Sequence, residues 1–235
     1  MVSCNPMKHD ASNQLCVYCG AGGKLTRDHV PPKGIFPKPR PSNLIAIPAC
    51  SECNQGNSKD DEYFRLALNV RADLSIHPEV QKGQRVVMRS LLDPNKPGMR
   101  QSFLNNIRLV EQTTPSGLFI KHQLALQTDT NRLRNVVKRT MKGLFYYHKK
   151  HRLPEKYDVF VCDEDNFVQW PDLERKKFDP IINTLKKQNP VTIGKGVFSY
   201  RFGFNSDDSD STYWIFTFYE RVSYLGLTLP PLSPS

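Results

Sequence analysis

The sequence predicts an α+β fold in two parts: a small N-terminal module stapled through cysteines, then a larger mixed domain built on an antiparallel, aromatic-rich sheet. Three observations carry this. Two Cys-x-x-Cys pairs, Cys16/Cys19 and Cys50/Cys53, enclose a segment of strand-like and proline-rich sequence. From residue 118 to 187, runs that suit strands alternate with helical periodicity. Residues 197–204 (VFSYRFGF) and 212–220 (TYWIFTFYE) alternate aromatic with polar side chains around a polar turn at 205–211, as a hairpin does. Pro78, Pro94 and Pro97 place a connecting region at 76–100, which leaves 1–75 for the stapled module and 101–235 for the second domain.

Each element has a local cause. Residues 1–14 read as a lead-in. Gly20, Gly22 and Gly23 suit a tight reversal after the first cysteine pair. Residues 25–30 read as a short strand with Asp28 and His29 near its end, and 44–48 as the returning strand, with Asn43 as a turn residue before it. Between them Pro31, Pro32, Pro37, Pro39 and Pro41 keep the chain out of helix and ladder. With Lys33, Lys38 and Arg40 this loop is stiff and basic. Ser58 followed by Asp60, Asp61 and Glu62 suits a helix start, where acids offset the partial positive charge of the first turn. That helix is expected over 59–72, with a shorter one near 80–92.

Further on, strands are expected at 118–127 and 157–162, and helices at 131–150 and 172–187. In the 131–150 helix Leu133, Val136, Val137, Met141, Leu144, Phe145 and His148 form one stripe. Residues 131–156 carry nine Lys or Arg against the single acid Glu155. Such a run is either a solvated face or a surface that tracks phosphates. The aromatics Tyr200, Phe202, Phe204, Tyr213, Trp214, Phe216, Phe218 and Tyr219 are expected as core and sheet face rather than as a base-stacking platform. Pro230, Pro231 and Pro234 mark a frayed tail.

A chain of 235 residues with 38% hydrophobic content can bury a sizeable core. Its formal net charge of +10 points toward polyanions such as nucleic acid. No apolar run is long enough to cross a bilayer, and the N-terminus lacks a signal-peptide core, so no membrane association and a cytoplasmic location are expected. In a reducing compartment paired cysteines read as metal ligands before disulfides. Cys4 and Cys162 are expected to be unpaired thiols, Cys162 buried. His9, His77, His122, His148 and His151 show no ligand spacing beyond the helix-end pair His148/His151.

Four thiolates at paired spacing suit a tetrahedral zinc ion, since each short turn aims two sulfurs at one metal. With four protein ligands such a zinc is structural. The gap between the pairs runs from Gly20 to Ala49, 30 residues, where ordinary zinc ribbons leave about 15–20. The excess contains Asp28-His29.

The ordered set Cys16, Cys19, Asp28, His29, Asn43, Cys50, Cys53, Asn54 resembles the HNH, or ββα-metal, endonuclease family in its zinc-stapled form. The resemblance covers residues 16–59. It implies a hairpin that carries a catalytic His29, a loop steadied by Asn43, and a following helix that returns Asn54 as a metal ligand. Most members have His at that third position; phage-encoded resolvases of this fold, with the same four cysteines and Asp-His pair, have Asn. The implied chemistry is hydrolysis of phosphodiester bonds in DNA, with 5′-phosphate and 3′-hydroxyl products. His29 would take the proton of the attacking water, and Asp28 and Asn54 would hold Mg²⁺ or Mn²⁺. Lys59 stands where many members place a phosphate-clamping base, and Asn57 is a substitute ligand.

Blander roles stand beside these: a hydrogen-bonded strand end for Asp28 and His29, a plain turn residue for Asn43, an N-cap for Asn54, a surface cation for Lys59. Two other functions fit the same residues. One is a non-catalytic zinc-bearing nucleic-acid-binding or adaptor protein. The other is a nuclease effector subunit of an antiviral defence system, released by a protein partner that binds the C-terminal domain. RNA is the alternative substrate to DNA.

Overall fold

In the computed structural model, which describes residues 15–231 apart from 96 and 115, the first cysteine knuckle leads into strand β1 (Leu25–Val30). The expectations for the lead-in with Cys4 and His9, and for the tail from 232 onward with Pro234, lie outside the described residues. β1 pairs antiparallel with β2 (Ile45–Cys50), Leu25 opposite Cys50 and Val30 opposite Ile45. The proline-rich connection contains one 3-10 turn at Lys33–Ile35, whose Ile35 is buried. Helix α1 (Ser51–Gly56) follows β2 directly, and α2 (Ser58–Asn69) follows α1 after a break at Asn57. Asn57 Nδ2 donates to the carbonyl of Cys53 at 2.5 Å, which closes the end of α1. The helix expected over 59–72 is α2, which starts one residue earlier and stops at Asn69; the short α1 precedes it.

The region expected as a connection is mostly helical: α3 (Pro78–Leu92) and α4 (Pro97–Asn105). Pro78 sits in the first turn of α3, where a missing N–H costs nothing. Strands β3 (Ile107–Thr113) and β4 (Phe119–Leu126) make a separate two-stranded ribbon. Helix α5 (Thr130–Lys149) comes next, started by Asp129, whose side chain accepts from the N–H groups of Asn131 and Arg132. Then come β5 (Asp158–Asp163), α6 (Glu164–Val168), α7 (Asp172–Lys176), α8 (Asp179–Lys186), β6 (Val191–Ile193), β7 (Phe198–Phe204), β8 (Thr212–Phe218) and β9 (Val222–Leu229). The single helix expected over 172–187 is two, because Pro180 cannot donate back and instead opens a fresh helix.

β5 to β9 form one antiparallel sheet in the order β5-β9-β8-β7-β6. Its two faces are fixed by the strand period of two. Gly226, opposite Trp214, faces α5: an added Cβ would lie 2.6 Å from Met141 Sδ. Gly203, opposite Tyr213, faces α8, where the same atom would lie 3.4 Å from Leu185. The aromatics do fill the interior: Tyr200, Trp214, Phe216, Phe218 and Tyr219 are each 2% exposed or less. Phe204, at the strand end, stays in solvent.

The hairpin and the sheet share one hydrophobic core. Val30 and Ile47 from the hairpin, Phe64 from α2, Val80 from α3, Val137 and Met141 from α5, and Phe216 and Tyr224 from the sheet belong to a single cluster. α5 is the layer between them. At Gly143 it passes so close to the hairpin that a Cβ would lie 2.4 Å from Val30 Cγ1 and 2.9 Å from Ile47 Cδ1. Alanine in mid-helix is normally better than glycine by about 1 kcal/mol, yet overpacking a core costs about 1–3 kcal/mol. The clash wins here: Gly143→Ala is expected to lower the urea midpoint of unfolding, and a rise would show that the hairpin yields.

Candidate metal centre and polar cleft

The hairpin register brings the two knuckles together. The first knuckle precedes β1; Cys50 ends β2 opposite Leu25, and Cys53 lies in the first turn of α1. The four sulfurs all lie within 4.8 Å of one another, and Cys19 Sγ is 3.7 Å from Cys50 Sγ. A tetrahedral ion about 2.3 Å from each sulfur needs sulfurs about 3.8 Å apart, so the set could hold a metal ion. The knuckles are stabilised by their own backbone. Gly20 N donates to the Cys16 carbonyl and Cys53 N to Cys50 Sγ. Burial would raise the Cys16 thiol, but hydrogen bonds from the backbone of Cys19, Cys50 and Tyr18 outweigh it and bring it down to about 6. Cys53 is pushed up, by burial and by the neighbouring sulfurs. A metal ion bound by these sulfurs would displace the thiol protons that remain. One metal ion per chain is therefore expected by elemental analysis. Its removal with a chelator should lower the melting temperature by about 10 °C, at about 2–4 °C per kcal/mol in a chain of this size.

Beside this cluster lies an open cleft of about 380 Å³, lined among others by Asp28, His29, Asn54 and Asp61. Asp28 is 6% exposed. Its Oδ2 accepts from Tyr18 Oη at 2.8 Å and lies 3.8 Å from Arg139 Nε; its Oδ1 accepts from the His29 backbone N–H at 2.9 Å. The His29 imidazole is half-buried and makes no hydrogen bond to any described residue. Burial holds it below its ordinary value, Lys33 adds to this, and Asp28 opposes it.

Asn54 reaches back from α1 to the hairpin. Its Nδ2 donates to Thr26 Oγ1 at 2.9 Å and to the Arg27 carbonyl at 3.4 Å. Thr26 Oγ1 spends its own proton on the Ala49 carbonyl. Both partners of Asn54 must therefore accept, which fixes the amide orientation and leaves its carbonyl oxygen as the uncommitted atom.

Three expected site residues lie elsewhere. Asn43 does not bond the hairpin: its Nδ2 donates to the Thr192 carbonyl in β6 at 3.0 Å and ties the loop to the large sheet. Asn57 closes α1, as above. Lys59 lines a different groove, with Tyr63 and Arg132, and its carbonyl accepts from Arg132.

The four arginines among the nine cations of residues 131–156 meet acids of the protein itself. Arg132 pairs with Asp60, Arg134 with Asp163, Arg152 with Glu155, and the buried Arg139 with both Asp61 and Asp28. α5 is the middle layer of the fold, so its guanidiniums join α2 and β5 rather than face solvent. Lys149 and Lys150 lie over the rings of Phe204 and Tyr147. His148 is a packing residue, bonded to Tyr200 Oη at 2.8 Å with its ring 4.1 Å from that of Phe202.

Sequence reasoning missed Tyr18, Asp61 and Arg139. Asp61 reads in sequence as a first-turn acid, yet burial raises its carboxyl to about 6 even with Arg139 against it. Nothing in the period of α5 singles out Arg139, because its burial comes from α2 packing over the side of the stripe.

The chain matches no family model, no curated protein and no solved structure. No helix among the described residues is long and apolar enough to cross a membrane.

Proposed function

We propose that the protein is a metal-dependent endonuclease of the HNH class that hydrolyses phosphodiester bonds in DNA. One observation carries the reading: the adjacent Asp28 and His29 and the sequence-remote Asn54 line a single open cleft on a hairpin and helix that also gather four cysteine sulfurs. In this reading the cysteines hold a structural zinc that fixes the hairpin against α1, and so fixes Asn54 against β1.

The His29 ring, free of hydrogen-bond partners among the described residues and kept neutral by burial, takes the proton of the attacking water. The Asp28 carboxylate accepts from the His29 backbone N–H, which holds the end of β1 in place. Asp28 and the uncommitted oxygen of Asn54 are the groups that would hold Mg²⁺ or Mn²⁺. When bound, such an ion supplies positive charge to the phosphate and the departing oxygen. Lys33 and Arg40, which line the cleft where Lys59 does not, meet the phosphate oxygens.

One observation favours the non-catalytic zinc-bearing adaptor. Asp28 already accepts from two donors and faces Arg139, so its charge is met without a cation. Incubating supercoiled plasmid with the protein and Mg²⁺ or Mn²⁺ separates the two. The nuclease gives nicked circles that DNA ligase reseals, as 3′-hydroxyl and 5′-phosphate ends allow. Binding without nicking, whichever ion is present, leaves the adaptor.

A further inference from the structure

The arginines of α5 pair with carboxylates of the protein itself, whereas part of the positive charge elsewhere has no such partner. A second groove of about 490 Å³ adjoins the His29 cleft and shares Gly34, Arg40 and Arg65 with it, so the two form one trough. The second groove runs between the proline-rich loop and α3. Its walls carry Lys38 and Arg40 on the loop side, Arg65 from α2, and Lys82 and Arg89 on α3, against one acid, Asp93.

The state of these cations differs from that of the α5 arginines. Among the described residues Lys38, Arg40 and Arg89 pair with no carboxylate, and neither does Lys33 at the junction of the two grooves. Arg40 Nε and Arg89 Nε donate only to backbone carbonyls, those of Lys33 and Arg85. Lys82 pairs with Glu79 on its own helix, and Arg65 holds Ser90 and Glu62. Unpaired like charges on facing walls of a concave surface repel one another, and they focus a positive potential that a polyanion relieves.

We propose that this trough is the path of the DNA backbone. Phosphates on one side of the cleavage point lie along Lys33, Arg40, Lys38 and Arg89, while the reacting phosphate lies at His29. The assignment rests on the nuclease reading for its direction and on the unpaired cations for its place.

The test is binding of a short fluorescein-labelled DNA duplex, measured by anisotropy across a salt series, beside plasmid nicking by the same proteins. The double variant Lys38→Gln/Arg89→Gln changes two exposed side chains outside the cleft that holds His29. It is expected to melt as the wild type does and to flatten the plot of log K against log salt by about two units, at about 0.9 per phosphate. The control pair Lys150→Gln/Lys156→Gln, at the end of α5 and just beyond it, is expected to leave the slope unchanged. An unchanged slope in Lys38→Gln/Arg89→Gln, with nicking intact in the wild type, overturns the trough and leaves the nuclease reading standing. A flattened slope in a protein that never nicks supports the trough as a DNA surface and overturns the nuclease reading. A slope flattened only by the control pair overturns the trough in favour of the α5 end.

Discussion

Replacing His29 with alanine is expected to slow plasmid nicking by about 10²–10⁴-fold, the usual contribution of a positioned general base. Stability and DNA affinity should hardly change. The half-buried ring makes no hydrogen bond to a described residue, so its removal leaves no buried donor or acceptor stranded. The hairpin is held by its ladder and by Val30 and Ile47 in the core. The pH profile offers a second reading of the same group. In the proposed mechanism the neutral imidazole is the working form, and burial holds its pKa below the ordinary value of about 6.5. The rate should therefore stay high as pH falls through 6.5 and drop only at lower pH. Equal nicking by wild type and His29→Ala removes His29 from the chemistry.

The largest effect on stability is expected at Arg139, which no pattern in the sequence marks. Its side chain is 8% exposed and lies between Asp28 and Asp61, with side chains 7% and 24% exposed. Arg139→Met keeps the stem volume and removes the charge, leaving two carboxylates facing each other under the cleft. Breaking a buried pair in this way costs about 3–5 kcal/mol, a large fraction of a stability of about 5–15 kcal/mol. The loss should depend on pH in a definite direction. Burial raises the Asp61 carboxyl to about 6 in the folded protein, against about 3.9 unfolded. Between those values the folded state binds more protons, so burying Asp61 costs stability above about pH 6 and progressively less toward pH 4. Without Arg139 that cost grows. The urea midpoint of the variant should therefore fall further below wild type at pH 7.5 than at pH 5. An equal loss at both pH values would mean that packing, not charge, is what Arg139 supplies.

How much of this was legible in the sequence depended on whether the cause was local. β1 was placed at both ends, because the glycines before it and Pro31 after it are signals within the chain itself. α5 was placed to within one residue at each end by its apolar stripe. β9, which lies between β5 and β8 in the sheet, was missed; its Gly226 stands where Met141 and Phe216 leave no room for a side chain, a cause that lies outside the strand itself. The split of the 172–187 helix was signalled by Pro180 and passed over. Long-range pairings were out of reach, since the partner of Asn43 lies 149 residues further on. The four cysteines and the Asp28-His29 pair stood out because metal ligation and acid–base chemistry demand specific residue types. The ion pairs that use up the α5 arginines did not, since a run of cations looks the same whether acids meet it or solvent does.

The place of α5 also bears on how such a chain can diversify. One helix serves as floor to the cleft-bearing hairpin and as ceiling to the aromatic sheet, touching each through side chains that leave no slack. Neither half could be traded for an unrelated one without rebuilding the surface the other stands on. A lineage of this protein would be free to vary its rim, the loop of prolines and the exposed ribbon, while inheriting its interior as a single heirloom.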